Sequence, residues 1–281
     1  MKDNYDVVII GAAATGSAIA YFLAANPDFS GSVLLIERDL GFTRAATSLS
    51  ASAIRSQFST PINVQISRFS HQFMMDFAKT MQVDGQAPQL NFQAGGYLFL
   101  ATNPAQAEIL RQNHAVQIAN GADVVLWNAD QLAEAFPHLN VADIKLSSYG
   151  RSGEGWFDNT ALMNGFRNKA RSLGVELIQD EVTAVRREGT RVTGLRLASG
   201  RSISAGAGVN TAGCGAPAIA RMAGIETPIE IRKRTVFVFD CADSPEGTAR
   251  INNGRLPLMV EPSGVYCRPE GHFFLASTTP D

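Results

Sequence analysis

Hydrophobic residues fall into blocks along the chain, and the spacing within each block changes from one to the next. The longest uncharged run, Val7 to Ala25, follows Asp6 as VVII, passes Gly11, small residues and Gly16, and continues as SAIAYFLAA. A short β-branched block marks a strand buried on both faces, and the last part is rich in helix formers. The pattern predicts strand, glycine turn, helix. A second block, VLLIE (Val33–Glu37), predicts another buried strand, ending in an acid. From Thr60-Pro61, read as N-cap and N1, apolar residues at Ile62, Ile66, Phe69, Phe73 and Phe77 predict one amphipathic helix to about Met81 with those side chains inward.

Further on, GGYLFLA (95–101) and VVLW (124–127) read as strands around a helix that Asn103-Pro104 opens and Gly121 stops. The stretch GEGWFDN (153–159) reads as a turn before a helix with Gly174 at its C′ position. EVTAVRRE, Gly189, RVTGLRL and Ser199-Gly200 then spell a three-strand meander leading into AGVNTAGCGAP (207–217). IEIRKRTVFVFD (229–240) and PLMVEPSGVYCRPEGHFFLASTTPD (257–281) alternate as strands do.

The uncharged run is long enough to suggest a membrane span, but its flanks argue otherwise. Lys2 stands alone ahead of Asp3 and Asp6, and no cleavage site follows. The chain has 281 residues, 45% of them hydrophobic, which suffices for two domains. A net charge of −2 gives no nucleic-acid footprint, and Arg232-Lys233-Arg234, the densest basic cluster, reads as a solvated strand edge. Cys214, Cys241 and Cys267 lack CxxC spacing, which fits a reducing, cytoplasmic setting. His71, His114, His138 and His272 are scattered, so no metal site is expected. Trp127 and Trp156 read as packing residues.

The first turn carries the candidate chemistry. A helix N-terminus offers unpaired N–H groups and partial positive charge, which suit a pyrophosphate. A dinucleotide fingerprint needs glycines for the tight turn, for close backbone approach and for helix–strand packing. Here those positions are Gly11, Ala13 and Gly16, so the middle one departs from the pattern. Ala14 and Thr15 share the turn, and Glu37 is placed to bind ribose hydroxyls, with Arg38 beside it. A nicotinamide domain would continue with another helix and strand. Residues 45–54 are instead nearly all Ala, Ser and Thr, a loop able to lie flat on a large planar ring, through Thr47, Ser48, Ser50 and Ala51.

With DVVIIGAAATGSAIAYFL, IERD and SAIRSQFSTP in order, the chain resembles the glycine/D-amino-acid oxidase family of flavoenzymes across nearly all its length. The resemblance implies an α/β fold: a Rossmann-like FAD/NAD(P)-binding domain with a β-meander, and a discontinuous antiparallel-sheet (α+β) substrate domain. The expected division is 1–90 with 145–220 for FAD, and 91–144 with 221–281 for substrate. It also implies non-covalent FAD, touched by the Val182 backbone at the adenine and by Thr211, Ala212 and Gly213 near the pyrophosphate.

For the chemistry, the resemblance implies hydride transfer from a small amine or amino acid to flavin N5. Arg55, just after the loop, would anchor a substrate carboxylate bidentately. Tyr266 and Arg268 lie on the strand that lines the family's cavity. Sarcosine oxidase carries an oxygen-activating lysine on the next strand, but here that strand reads FFLAST and no lysine follows Lys233. A dehydrogenase with another electron acceptor, its identity unknown, is therefore favoured over an oxidase. The alternatives are a flavin-holding, partner-binding protein of the same fold, and a 2-hydroxy-acid or glycerol-phosphate dehydrogenase. Family members close the flavin site with a further strand, glycine-rich turn and helix. Their expected absence after STTPD predicts poor FAD retention by the chain alone.

Overall fold

A computed structural model describes residues 2–278. The chain runs β1 (Asn4–Ile10), α1 (Ala14–Ala24), β2 (Val33–Glu37), β3 (Ala53–Ile54), α2 (Pro61–Met75), α3 (Phe77–Thr80), β4 (Tyr97–Ala101) and α4 (Pro104–Ala119). It continues through β5 (Val124–Trp127), α5 (Ala129–Ala135), β6 (Leu146–Gly150), β7 (Gly155–Trp156), α6 (Asn159–Ser172), β8 (Glu176–Gln179), β9 (Val182–Glu188) and β10 (Arg191–Leu197). Then come β11 (Ser202–Asn210), α7 (Ala216–Met222), β12 (Phe237–Phe239), β13 (Leu258–Val260), β14 (Tyr266–Glu270) and β15 (Phe273–Ser277). These elements form two compact units. Residues 1–50, 77–90 and 158–231 make the first; 51–76, 91–157 and 232–281 make the second.

In the first unit the strand order is β8-β2-β1-β11-β10-β9. β8, β2, β1 and β11 are parallel, and β9 to β11 form the expected antiparallel meander. One sheet face packs Val8, Ile10, Leu34 and Ile36 against Val182, Leu195, Leu197 and Ile203. The continuous apolar blocks read from the sequence follow from this two-sided burial. On α1 and α6, Tyr21 and Phe166 meet with ring centroids 5.7 Å apart, and Phe77 adds an edge-on contact to Phe166 at 5.2 Å. Asp158 caps α6 by accepting from Ala161 N–H at 2.8 Å, and Gly174 beyond its end has φ +96°.

The second unit holds a seven-stranded sheet, β12-β15-β14-β13-β4-β6-β5. Its pairings are antiparallel except for β13 beside β4, which run parallel. Around Tyr149 gather Leu98, Leu132, Phe136 and Phe274. Trp127 stacks on Tyr149 at 5.0 Å, the packing role expected of it.

The structure draws several boundaries differently from the sequence reading. Residues 145–157 fall in the second unit, because β6 is buried along its whole length between β4 and β5. Residues 51–76 also belong there, and 221–231 to the first unit. The single helix expected from Pro61 to Met81 breaks at Asp76 (φ −93°, ψ 3°), where the chain passes from one unit to the other. Its expected inward face is buried only toward the far end: Ile62, Ile66 and Phe69 are 60%, 55% and 63% exposed, Phe73 is half-buried and Phe77, beyond the break, is fully buried, while Val64 and Met74 also turn inward. Of IEIRKRTVFVFD only Phe237–Phe239 form a strand, and Arg232-Lys233-Arg234 lie in exposed chain rather than on a strand edge.

Candidate functional site

The turn after β1 is built around two glycines. Gly11 has φ +100°, and a Cβ there would fall 2.4 Å from the Thr211 carbonyl oxygen. A Cβ on Gly16 would fall 1.8 Å from the Gly11 carbonyl oxygen and 2.7 Å from Thr211 Oγ1. The Thr211 hydroxyl in turn lies 2.9 Å from the carbonyl oxygens of both Ile10 and Gly11. The first and third fingerprint positions therefore admit only glycine. Ala13 is different. As N-cap it is extended (φ −69°, ψ −169°), a conformation open to any residue. No side chain caps α1 and its first turn carries no acid, so the partial positive charge of Ala14, Thr15 and their neighbours is left for an anion.

Glu37 closes one side of this cradle. Its Oε2 accepts from Ala12 N–H at 2.8 Å and its Oε1 from Asp39 N–H at 3.0 Å. A carboxylate has about four acceptor sites, which leaves two for ribose hydroxyls. Arg38 is largely exposed and sits 4.0 Å from Glu181. Val182 opens β9 and is buried in the sheet core. Beyond β11, Ala212 is half-buried, and Gly213 has φ +54° with open space where a side chain would be.

The small-residue loop is tied down by a residue that the sequence reading did not single out. Asn159 Nδ2 on α6 donates to the Thr47 carbonyl and, at 3.4 Å, to that of Ser50. Thr47 Oγ1 accepts from Ala14 N–H at 3.3 Å, which links the loop to the start of α1. Ser48 is half-buried and Ser50 exposed. Farther along α6, Arg167 lies over the Phe42 ring at 4.8 Å. An Asn directly after the Asp of WFDN was the available signal, hidden by its place beside a helix cap.

In the second unit, the half-buried Arg55 guanidinium rests on aromatic rings: Phe58 at 4.6 Å, Tyr97 at 5.7 Å and Phe99 at 5.8 Å. Its Nε–H is buried without a partner. Behind it lies Glu154, whose Oε1 accepts from Ser56 N–H at 2.7 Å and whose Oε2 accepts from Gln57 Nε2 at 2.9 Å. Gln57 also donates to the Tyr97 carbonyl at 3.0 Å and accepts from Ser148 Oγ at 2.7 Å. Burial pushes the Glu154 acid up to about 7, against the opposing pull of these bonds and of Arg55. Sequence reasoning missed Glu154 because GEGW reads as a turn.

The two remaining candidates are placed differently from Arg55. Arg268 is 4% exposed, with its guanidinium 5.1 Å from the Trp156 ring. It donates to the carbonyls of Pro269 and Ala51, each at 2.8 Å, and pairs with Glu270. These contacts make it a support for the chain at Ala51. Tyr266 opens β14 opposite Val260 and Ser277 and is half-exposed. Among the described residues no cluster of His, Cys, Asp or Glu is arranged to hold a metal, and no helix is long and apolar enough to cross a membrane.

The family described as FAD dependent oxidoreductase (DAO) matches residues 6–281. The chain belongs to it. The cofactor of this DAO chain is FAD, and the cradle fits the group: room at Gly11, an uncapped α1, acceptors left on Glu37 and open space at Gly213. Among curated relatives, FAD-dependent oxidoreductase domain-containing protein 1 of Xenopus laevis is 36% identical over 301 residues, covering 96% of this chain and 59% of the relative. Sarcosine oxidase subunit beta of an Arthrobacter species is 29% identical over 261 residues, covering 90% and 62%. The chain thus spans about 60% of the length of these relatives. The L-proline dehydrogenase of P. horikoshii superposes with a TM-score of 0.83 at 22% identity, over 100% of this chain and 71% of that one. Glycine oxidase of Geobacillus kaustophilus gives 0.73 at 21%, over 100% and 74%. Both share the DAO fold with this chain.

Proposed function

We propose that this chain is a FAD-dependent oxidoreductase that oxidises a small amine carrying a carboxylate, an amino acid or an N-alkyl amino acid, and passes electrons to an acceptor other than oxygen. Bound FAD supplies a two-electron acceptor for a hydride from the carbon beside nitrogen. The observation that carries the reading is Arg55: a cation on an aromatic platform whose buried Nε–H lacks an acceptor. A carboxylate provides that acceptor and accepts a second bond from the same guanidinium fork, fixing the ligand's orientation. The relatives named for sarcosine oxidase and L-proline dehydrogenase support the substrate class. β15 reads FFLAS, without a lysine, which supports an acceptor other than oxygen.

An anaerobic screen tests this by mixing the FAD-loaded protein with N-methylglycine, proline, D-amino acids and 2-hydroxy acids. Bleaching of the flavin by amino acids, and not by matched amines lacking the carboxylate, is the expected result. Bleaching by hydroxy acids alone would overturn the substrate class. A flavin that stays oxidised with every compound would favour a flavin-holding, partner-binding role.

A further inference from the structure

Glu154 is 1% exposed, and the chemistry above leaves it without a role. Its carboxyl occupies a built seat. Besides the bonds from Ser56 and Gln57, Gly150 makes room where a Cβ would fall 2.0 Å from Oε2. The Ser56 N–H belongs to the peptide that joins Arg55 to Ser56, so the acid grips the backbone from which the guanidinium projects. The bonds of Gln57 to the Tyr97 carbonyl and to Ser148 extend the grip to β4 and β6.

We propose that Glu154 is the positioning residue and counter-charge of Arg55: it fixes the Arg55–Ser56 peptide, and its ionised form competes with a ligand carboxylate for the guanidinium's charge. The inference rests on the reading of Arg55 as the carboxylate anchor. With Glu154 neutral, the full charge of Arg55 faces the ligand. With Glu154 ionised, the two charges offset one another in a poorly solvated surrounding, where such interactions are strongest.

The neighbouring groups leave Glu154 as the one that changes charge near neutrality. Tyr97 and Tyr149 feel its charge, and burial pushes both hydroxyls up to about 12, so they stay neutral. Arg268 acts on Tyr97 and Asp123 on Tyr149. His71, near Gly153, is held below its ordinary value by burial. Burial places Glu154 itself at about 7.

The test uses FAD-loaded full chain and acetate, a plain carboxylate that stays ionised across the range, with affinity read by saturation-transfer NMR. In the wild type the acetate dissociation constant should rise about tenfold between about pH 6 and about pH 8.5 as Glu154 ionises. Glu154→Gln should bind at both pH values as the wild type binds at the lower one. Arg55→Met should abolish binding in either background. A flat wild-type profile, or a Glu154→Gln profile that keeps the wild-type slope, overturns the proposal while leaving Arg55 as the anchor. Wild-type acetate affinity in Arg55→Met overturns the Arg55 reading instead. The wild-type profile needs no variant, so a Gln variant that fails to fold does not remove the test.

Discussion

Gly16 approaches Gly11 so closely that a single added methyl would fall 1.8 Å from the Gly11 carbonyl oxygen. Backbone lies on the other side of that contact and cannot yield as a flexible side chain would. Gly16→Ala should therefore destabilise the first unit by about 1–3 kcal/mol, the usual cost of overpacking. It should also release FAD, because α1 must shift away from the turn. Ala13→Gly, in the extended N-cap, should leave flavin content near normal. Thermal melts and the flavin absorbance of purified protein check both.

Removing the carboxyl of Glu37 has two effects. The Ala12 and Asp39 N–H groups lose their acceptor, and the ribose loses a charged one. Glu37→Ala should weaken FAD binding by about 1.5–3 kcal/mol, the range for hydrogen bonds to charged groups. Equilibrium titration of apoprotein with FAD measures the loss, and unchanged affinity would remove Glu37 from the site.

Arg55→Lys keeps the charge but loses the fork. KM for a carboxylate substrate should rise by at least about tenfold with flavin content unchanged, since one point donor cannot replace a bidentate pair. Steady-state kinetics with the substrate found in the anaerobic screen decides it, and an equal loss of flavin would show that Arg55 supports the cofactor instead.

Asn159→Ala should free the Thr47–Ser50 stretch. Two side-chain bonds to its carbonyls disappear, each worth about 1 kcal/mol. Hydrogen exchange over residues 45–50 should accelerate, and FAD should dissociate faster, while the sheet core keeps its protection.

Glu154 also sets a slope of stability against pH. Its folded value, about 7, lies above the unfolded one, so the native state binds more protons between roughly pH 4.5 and 7. Stability should fall as pH rises through that window, by up to about 3 kcal/mol, and level off above it. In Glu154→Gln that component should vanish from melting curves taken across the same range.

The parts of the molecule legible in the sequence are those where one local rule decides the outcome. The β1–α1–β2 unit shows because burial fills Val7–Ile10 and Val33–Ile36 with apolar residues, Gly11 marks the turn with positive φ, and Glu37 stands at the strand end. The meander shows because Gly189 and Gly200 mark its turns with positive φ. β6 was hidden by its serines, which look exposed. In the structure they are buried, with Ser147 Oγ donating to the Trp127 carbonyl at 3.3 Å and Ser148 Oγ to Gln57. The α2 face misled for the opposite reason, since Ile62, Ile66 and Phe69 have helical spacing yet no covering element among the described residues. Glu154 could not be read at all. Its partners Ser56 and Gln57 stand almost a hundred residues earlier, and only the fold brings them to it.

The place of β11 in the first sheet has a bearing on how the chain is made. β1 finds one neighbour early in the chain and the other late: Val7 pairs with Val33 on one side and with Ala207 on the other. During synthesis the near side can zip within moments, whereas the far side stays open until the meander has left the ribosome. Closing so long a loop is slow, and an apolar strand edge is exposed throughout. Refolding from denaturant should therefore show early protection in β2 and late protection in β11. The open edge of β1 is the place where a chaperone, or a second unfinished chain, has the longest opportunity to bind.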